Sequence, residues 1–159
     1  MSDTSHTTLQ SIFDRVAEHF LGMSGPAQNH KGDCCYRTKD GDRCFVGALI
    51  KDEDYSPSIE GLALGPALTE DDLMTSDYWD RVEALRKTVM SSLTKDYPDL
   101  PESMPEDVRV LLSCLQSVHD NWPDGLSIAA RNHVISGMIE VAEVRGLSPA
   151  KLTDAAANV

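Results

Sequence analysis

The chain has 159 residues, with 26 acidic and 14 basic side chains, a formal net charge of −12 and a pI near 4.6. This length fits one domain that buries its core without disulfides or metal, and a composition that is 41% hydrophobic and 25% charged excludes a disordered chain. Because this charge repels phosphate, we expect no direct binding to nucleic acid or to an anionic membrane and favour a basic partner.

The compartment is inferred from the four cysteines and the polar amino terminus. No secretory leader and no membrane-length apolar run are seen in the sequence, and unpaired cysteines are typical of a reducing environment. We therefore expect a cytoplasmic protein. No nucleotide-binding loop or other cofactor motif occurs, so we predict no cofactor.

The clearest predicted helix spans residues 8–21. Its apolar side chains recur at i, i+3 and i+4 spacing, which places them on one face: Leu9, Ile12, Phe13, Val16, Ala17, Phe20 and Leu21. Thr7 and Gln10 match a capping box at its start, and Gly22 is a natural stop.

The stretch CCYRTKDGDRCFVGALI, residues 34–50, predicts a β-hairpin turning at Asp40-Gly41. Its register stays open. A two-residue turn places Tyr36 opposite Phe45, whereas a three-residue loop with a bulge at the glycine places Tyr36 opposite Cys44. The run FVGALI then continues as a buried strand or becomes a short buried helix.

Three further helices and a short terminal one follow an irregular segment at 51–68. They are predicted from Thr69 or Ser76 to about residue 95, over Glu106 to about Asp120, and up to a Schellman cap at Gly146-Leu147. We predict a mainly α (α+β) fold, with four or five amphipathic helices packed with one β-hairpin. We place it in a single domain, 1–159, made of residues 8–97, a Pro-rich connector at 98–105, and C-terminal helices over 106–150.

Negative charge is concentrated in residues 51–80, here called the acidic segment, which contains nine acidic residues and one basic residue, Lys51. One interpretation is a solvated, solubilising surface. The other is a surface that binds a basic partner by charge complementarity. The predicted contact residues are Asp52, Glu53, Asp54, Glu60, Glu70, Asp71 and Asp72.

The cysteines are poorly spaced for a metal site. Zinc sites use closely spaced ligand pairs, whereas Cys34 and Cys35 are adjacent and would point to opposite faces of a strand. We therefore predict no metal and interpret Cys35 and Cys44 as buried apolar side chains.

A catalytic cluster is the weaker alternative. A nucleophilic thiol needs a base and an orienting acid, and the candidate set is Cys44, His119 and Asp120, with Arg37 beside them. No motif surrounds these residues, and a histidine at a helix end commonly packs or caps. The sequence leaves enzymatic activity uncertain and favours a protein without one.

Two long motifs give the chain a resemblance. The pattern C-x-Y-R-x-x-x-G-x-[KR]-C-x-[VI]-G-x-L-I occupies residues 34–50, D-E-x-Y and E-G follow at 52–55 and 60–61, and L-L-x-x-L-Q-x-[VI]-H-D occupies 111–120. These resemble a family of small uncharacterised proteins from bacteriophages and prophages.

The resemblance implies a phage accessory protein in the bacterial host cytoplasm. Such proteins often bind and inhibit a host protein, including anti-phage defence complexes, and an acidic one can act as a DNA mimic. It also favours a scaffold role for the cysteine-rich stretch, with the His119-Asp120 helix end packed against it and Arg37 paired with Asp120 or Glu53.

Overall fold

The fold is seen in a computed structural model that describes residues 4–64, 76–123 and 127–157. Over these residues the backbone forms five α-helices, two short 3-10 turns and no β-strand. The helices are α1 (His6–Leu21), α2 (Ser76–Asp96), α3 (Glu106–Asp120), α4 (Ile128–Val144) and α5 (Ala150–Ala157). The mainly helical prediction is confirmed for the described residues.

Helix α1 forms because its apolar stripe is buried along its whole length. Ile12, Phe13, Val16, Ala17 and Phe20 are fully buried, and each large apolar side chain contributes about 1.5–3 kcal/mol when removed from water.

The start of α1 differs from the predicted capping box. Ser5 is the N-cap, and its hydroxyl accepts from the Thr8 backbone N–H. Gln10 instead reaches across to the carboxy-terminal region, where its side chain donates to the Ser148 carbonyl and accepts from the Ser148 N–H.

The predicted β-hairpin at residues 34–50 was wrong. Residues 38–42 do form a turn, with Gly41 at φ +91°, but the arms share a single isolated bridge between Arg37 and Arg43. The reason is that the backbone donors of the arms go to side chains: the N–H groups of Tyr36 and Arg37 donate to Glu60, and that of Val46 to Gln116. No ladder can extend from these positions.

After Phe45 the chain turns into a 3-10 helix, Gly47–Leu49, which decides between the two predicted conformations of FVGALI. Gly47 lies directly against the backbone of Tyr36, where an added Cβ would stand 2.0 Å from the carbonyl oxygen. Glycine therefore allows this turn to pack inside the core, where Leu49 and Ile50 are almost fully buried.

Helices α3, α4 and α5 complete the core. Gly137 of α4 packs against Val118 of α3, and α4 ends as predicted, with Gly146 at φ +69° and the Leu147 N–H bonded to the Ala142 carbonyl. The buried apolar cluster contains side chains from all five helices and from the 34–50 stretch. The C-terminal end of α3 is thereby held against residues 27–45.

Candidate functional site

His119 lies at the centre of the site, fully buried in the last turn of α3. Its ring packs 5.2 Å from that of Phe45 and 6.3 Å from that of Trp122, centroid to centroid. The backbone N–H of Ala27 donates to Nε2 at 3.0 Å, so Nε2 is unprotonated and the neutral ring carries its proton on Nδ1. That proton is donated to Asp120 Oδ1 at 3.1 Å.

Asp120 collects donors around this histidine. Gln116 Nε2 donates to the same oxygen at 2.8 Å, and the Cys34 thiol lies within 4.8 Å of the carboxylate. Burial alone would raise the pKa of Asp120, but the hydrogen bonds from His119 and Gln116 oppose it, and that pKa lies below its usual value. The carboxylate stays ionised at neutral pH.

The thiols near this carboxylate are poor nucleophiles. Burial, followed by the charge of Asp120, raises the pKa of Cys34 to about 11. Cys44 is fully buried, its sulfur accepts from the Gly47 N–H at 3.3 Å, and burial raises its pKa to about 12. Neither is a thiolate at neutral pH, and thiolate is the reactive form.

The four residues of the predicted catalytic cluster are therefore divided between separate networks. His119 and Asp120 bond to each other, but both nitrogens of the ring are occupied and Nε2 is not free to act as a base for Cys44. Arg37 lies elsewhere: its guanidinium bonds Asp52 at 3.0 Å and stacks 4.4 Å from the centroid of the Tyr55 ring. The expected pairing of Arg37 with Asp120 or Glu53 was wrong.

Cys34, His119 and Asp120 form a three-residue group that the sequence did not indicate. One potential ligand atom from each lies within 4.8 Å of the others. The proton on Nδ1 occupies the lone pair that would face an ion there, and moving it to Nε2 would set it against the Ala27 N–H. The group is arranged as a hydrogen-bond network around one carboxylate, which makes it a poor fit to a metal ion.

Glu60 is one of the predicted contact residues, and the structure gives it an internal role. It accepts from the backbone N–H groups of Tyr36 at 2.8 Å and Arg37 at 3.1 Å, and from the Tyr55 hydroxyl at 2.7 Å. A carboxylate with three internal donors stabilises the turn that follows Cys35.

Asp54 is likewise turned inward, with its side chain only 12% exposed. It accepts from the hydroxyls of Ser91 at 3.0 Å and Ser92 at 2.8 Å, and pairs with Lys95 at 2.9 Å. These contacts fasten residues 51–54 to the last turns of α2. The burial of Ser92 makes the hydroxyl contact a structural one.

Asp52 and Glu53 are the predicted contact residues that project into solvent in the described part of the acidic segment. Asp52 is 76% exposed while bridging Arg37 at 3.0 Å and Arg43 at 2.8 Å, and Glu53 is 62% exposed beside Lys95 at 3.3 Å. The remaining predicted contact residues, Glu70, Asp71 and Asp72, lie outside the described residues.

A cleft of about 960 Å³ lies between the end of α1, residues 22–29, the turn at 41–43 and Trp122. His19 forms part of the wall of this cleft, and its Nε2 lies 2.7 Å from the Arg43 carbonyl oxygen. Charges of both signs line it, including Glu18 and Asp42 as well as Arg43. No sequence pattern predicts this cleft, because its walls come from four separate segments.

Comparison of the chain with protein-family models, with curated proteins and with solved structures gave no match. Among the described helices, none is long and apolar enough to cross a membrane.

Proposed function

We propose that this protein is a non-catalytic accessory protein that binds and blocks a basic surface on another protein through the acidic segment. The observation that carries the proposal is the state of His119, whose two ring nitrogens are both used by internal partners. With the neighbouring thiols held protonated, the candidate reactive groups serve the scaffold, and surface charge is the feature left to act on a partner.

The contacts of the acidic segment divide its described acidic residues into two groups, those that hold the backbone and those that are available to a partner. Asp54 and Glu60 hold the backbone in place, whereas Asp52 and Glu53 extend into solvent from that fixed backbone. A charge on an ordered backbone binds with less loss of conformational entropy than a charge on a mobile one. Asp71 and Asp72 add negative charge from the same stretch of sequence.

The partner class follows from charge complementarity. A segment with nine acids and one lysine matches a groove lined by Lys and Arg, of the kind that proteins use to bind nucleic acid phosphates. Together with the resemblance of residues 34–61 and 111–120 to phage and prophage proteins, this favours a bacterial host protein, including one of an anti-phage defence system, whose nucleic acid site would be covered by a DNA mimic.

The experiment is capture of partners from bacterial lysate by three forms of the tagged protein. One is the natural chain, and the second carries Glu53→Lys, Asp71→Lys and Asp72→Lys. Asp54 is left intact because its contacts hold the backbone, and Asp52 is left intact because its replacement by lysine would set a positive charge beside Arg37 and Arg43. We expect the natural chain to retain one stoichiometric partner that is lost with this variant.

The third form is a matched control, Asp40→Lys, Glu140→Lys and Glu143→Lys, which changes net charge equally at exposed positions outside the acidic segment. It should retain the partner. Equal capture by both variants would refute the acidic segment as the contact surface, and equal loss would show that only net charge matters. Thermal melts of all three forms verify that folding is intact.

A further inference from the structure

Residues 23–34, here called the overlying segment, pack across the C-terminal end of α3. The N–H of the following residue, Cys35, donates to the Ala27 carbonyl, and a tight turn closes inside the segment at Asn29–Asp33. Its first carbonyl, on Met23, accepts from Arg131 of α4 at 2.7 Å. The segment is therefore a small closed loop fastened at a few points.

One of its contacts with the core is a hydrogen bond to His119. The N–H of Ala27, a fully buried residue, donates to Nε2, and at the far end the Cys34 thiol lies within 4.8 Å of an Asp120 carboxylate oxygen. The hydrogen bond of Ala27 requires Nε2 to be an acceptor, and a histidine nitrogen loses that ability when it binds a proton.

We propose that the Ala27–His119 hydrogen bond is a proton-sensitive latch, so that protonation of His119 at Nε2 releases the overlying segment from α3. Protonation would set two donors, the ring N–H and the backbone N–H of Ala27, against each other 3.0 Å apart. A buried donor left without an acceptor is strongly unfavourable, so the segment moves away.

The surroundings of the ring favour local release over unfolding of the whole domain. The titratable groups that face it are Asp120 on its own helix and the Cys34 thiol on the overlying segment, while Phe45 and Trp122 present aromatic rings. An imidazolium would keep its Nδ1 bond to the Asp120 carboxylate and be paired in place. Only the Nε2 side is mismatched.

Release would change a surface as well as a bond. Met23, Gln28 and Asn29 of the overlying segment line the 960 Å³ cleft, so its movement opens one wall of that cleft and uncovers the ring of His119.

The test is backbone hydrogen exchange, measured by mass spectrometry at pH 7.5 and 5.5 and corrected for the intrinsic effect of pH on exchange. We expect protection of residues 23–34 to fall at pH 5.5 by about tenfold or more, while α2 stays protected. Unchanged protection of this segment in the natural protein would overturn the proposal.

The matched variant is His119→Gln, whose amide oxygen can accept from Ala27 and whose amide nitrogen can donate to Asp120, without titrating. It should keep the segment protected at both pH values, and loss of protection at pH 5.5 in this variant would overturn the proposal.

A measurement on the natural protein does not depend on the variant folding. Nitrogen NMR of the His119 ring should show Nε2 gaining its proton over the pH range in which the Ala27 amide signal changes. A ring that becomes protonated while the Ala27 amide is unaffected would contradict the latch.

Discussion

Replacing Gly47 by alanine should destabilise the protein strongly, because the residues around it leave no room for a methyl group. The Cβ would lie 2.0 Å from the carbonyl oxygen of Tyr36 and 2.8 Å from its carbonyl carbon. Relief requires a backbone shift of more than about 1 Å, since ordinary contacts begin near 3.4 Å. Tyr36 cannot yield easily, because Glu60 holds its N–H and its hydroxyl donates to the Leu62 carbonyl.

Because this clash is between two backbone segments that cannot move easily, its cost exceeds the 1–3 kcal/mol that is usual for an overpacked core. We expect Gly47→Ala to lower the free energy of unfolding by about 4 kcal/mol. For a chain of this length that lowers the melting temperature by about 8–16 °C in calorimetry. The control is Gly41→Ala, where nothing lies within 4 Å but φ is +91°. Its expected loss is about 1 kcal/mol. A Gly47→Ala protein that melts no lower than this control would refute the packing described for residues 34–50.

Three other predictions concern the remaining groups of the site. Iodoacetamide at pH 7.5 should leave Cys44 unmodified until urea unfolds the protein, because burial raises its thiol pKa to about 12; rapid modification of the native protein would contradict its burial. Asp54→Ala should lower the free energy of unfolding by about 2 kcal/mol in urea titrations, because buried Ser92 loses its acceptor, whereas Glu53→Ala should leave the melt nearly unchanged; equal effects would argue against the inward role of Asp54. The pKa of Asp120 is lowered in the folded protein, so its contribution to stability is complete above about pH 4 and is lost as pH falls through the folded-state pKa. Asp120→Asn should therefore be less stable than the natural protein at pH 7 and should lose less stability on acidification. If the stability of the variant and of the natural protein fell in parallel with pH, that would contradict this role.

The helices could be predicted from sequence because each carries its own apolar stripe and its own stops. The ends of α3 at Glu106 and Asp120 match the predicted bounds, and the glycine cap after α4 forms as expected. Periodicity and capping are local signals, and they act on backbone hydrogen bonds within the same segment.

Whether residues 34–50 form a β-hairpin could not be predicted from sequence, because the pairing of the two arms depends on side chains that are distant in the chain. Asp40-Gly41 does turn the chain, but a ladder also needs free donors, and those of Tyr36 and Val46 are taken by Glu60 and Gln116. The spacing of these residues in the sequence does not predict that Tyr36 contacts Glu60 or that Val46 contacts Gln116.

The adjacency of His119 and Asp120 is visible in the sequence, and the structure brings the pair together beside the cysteine-rich stretch. Its cysteine partner is Cys34 rather than Cys44, because the broken hairpin turns residue 34 toward the end of α3. The role of Ala27 depends on its backbone N–H, and side-chain identity carries no information about that.

The most direct test of the proposed function is the affinity of the captured partner for this protein, measured by calorimetry at several salt concentrations. Binding through carboxylates on a basic groove predicts an affinity that falls steeply between about 50 and 200 mM salt, and a nucleic acid ligand of the partner that competes for the same site. An affinity independent of salt, with nucleic acid bound at the same time, would contradict the account.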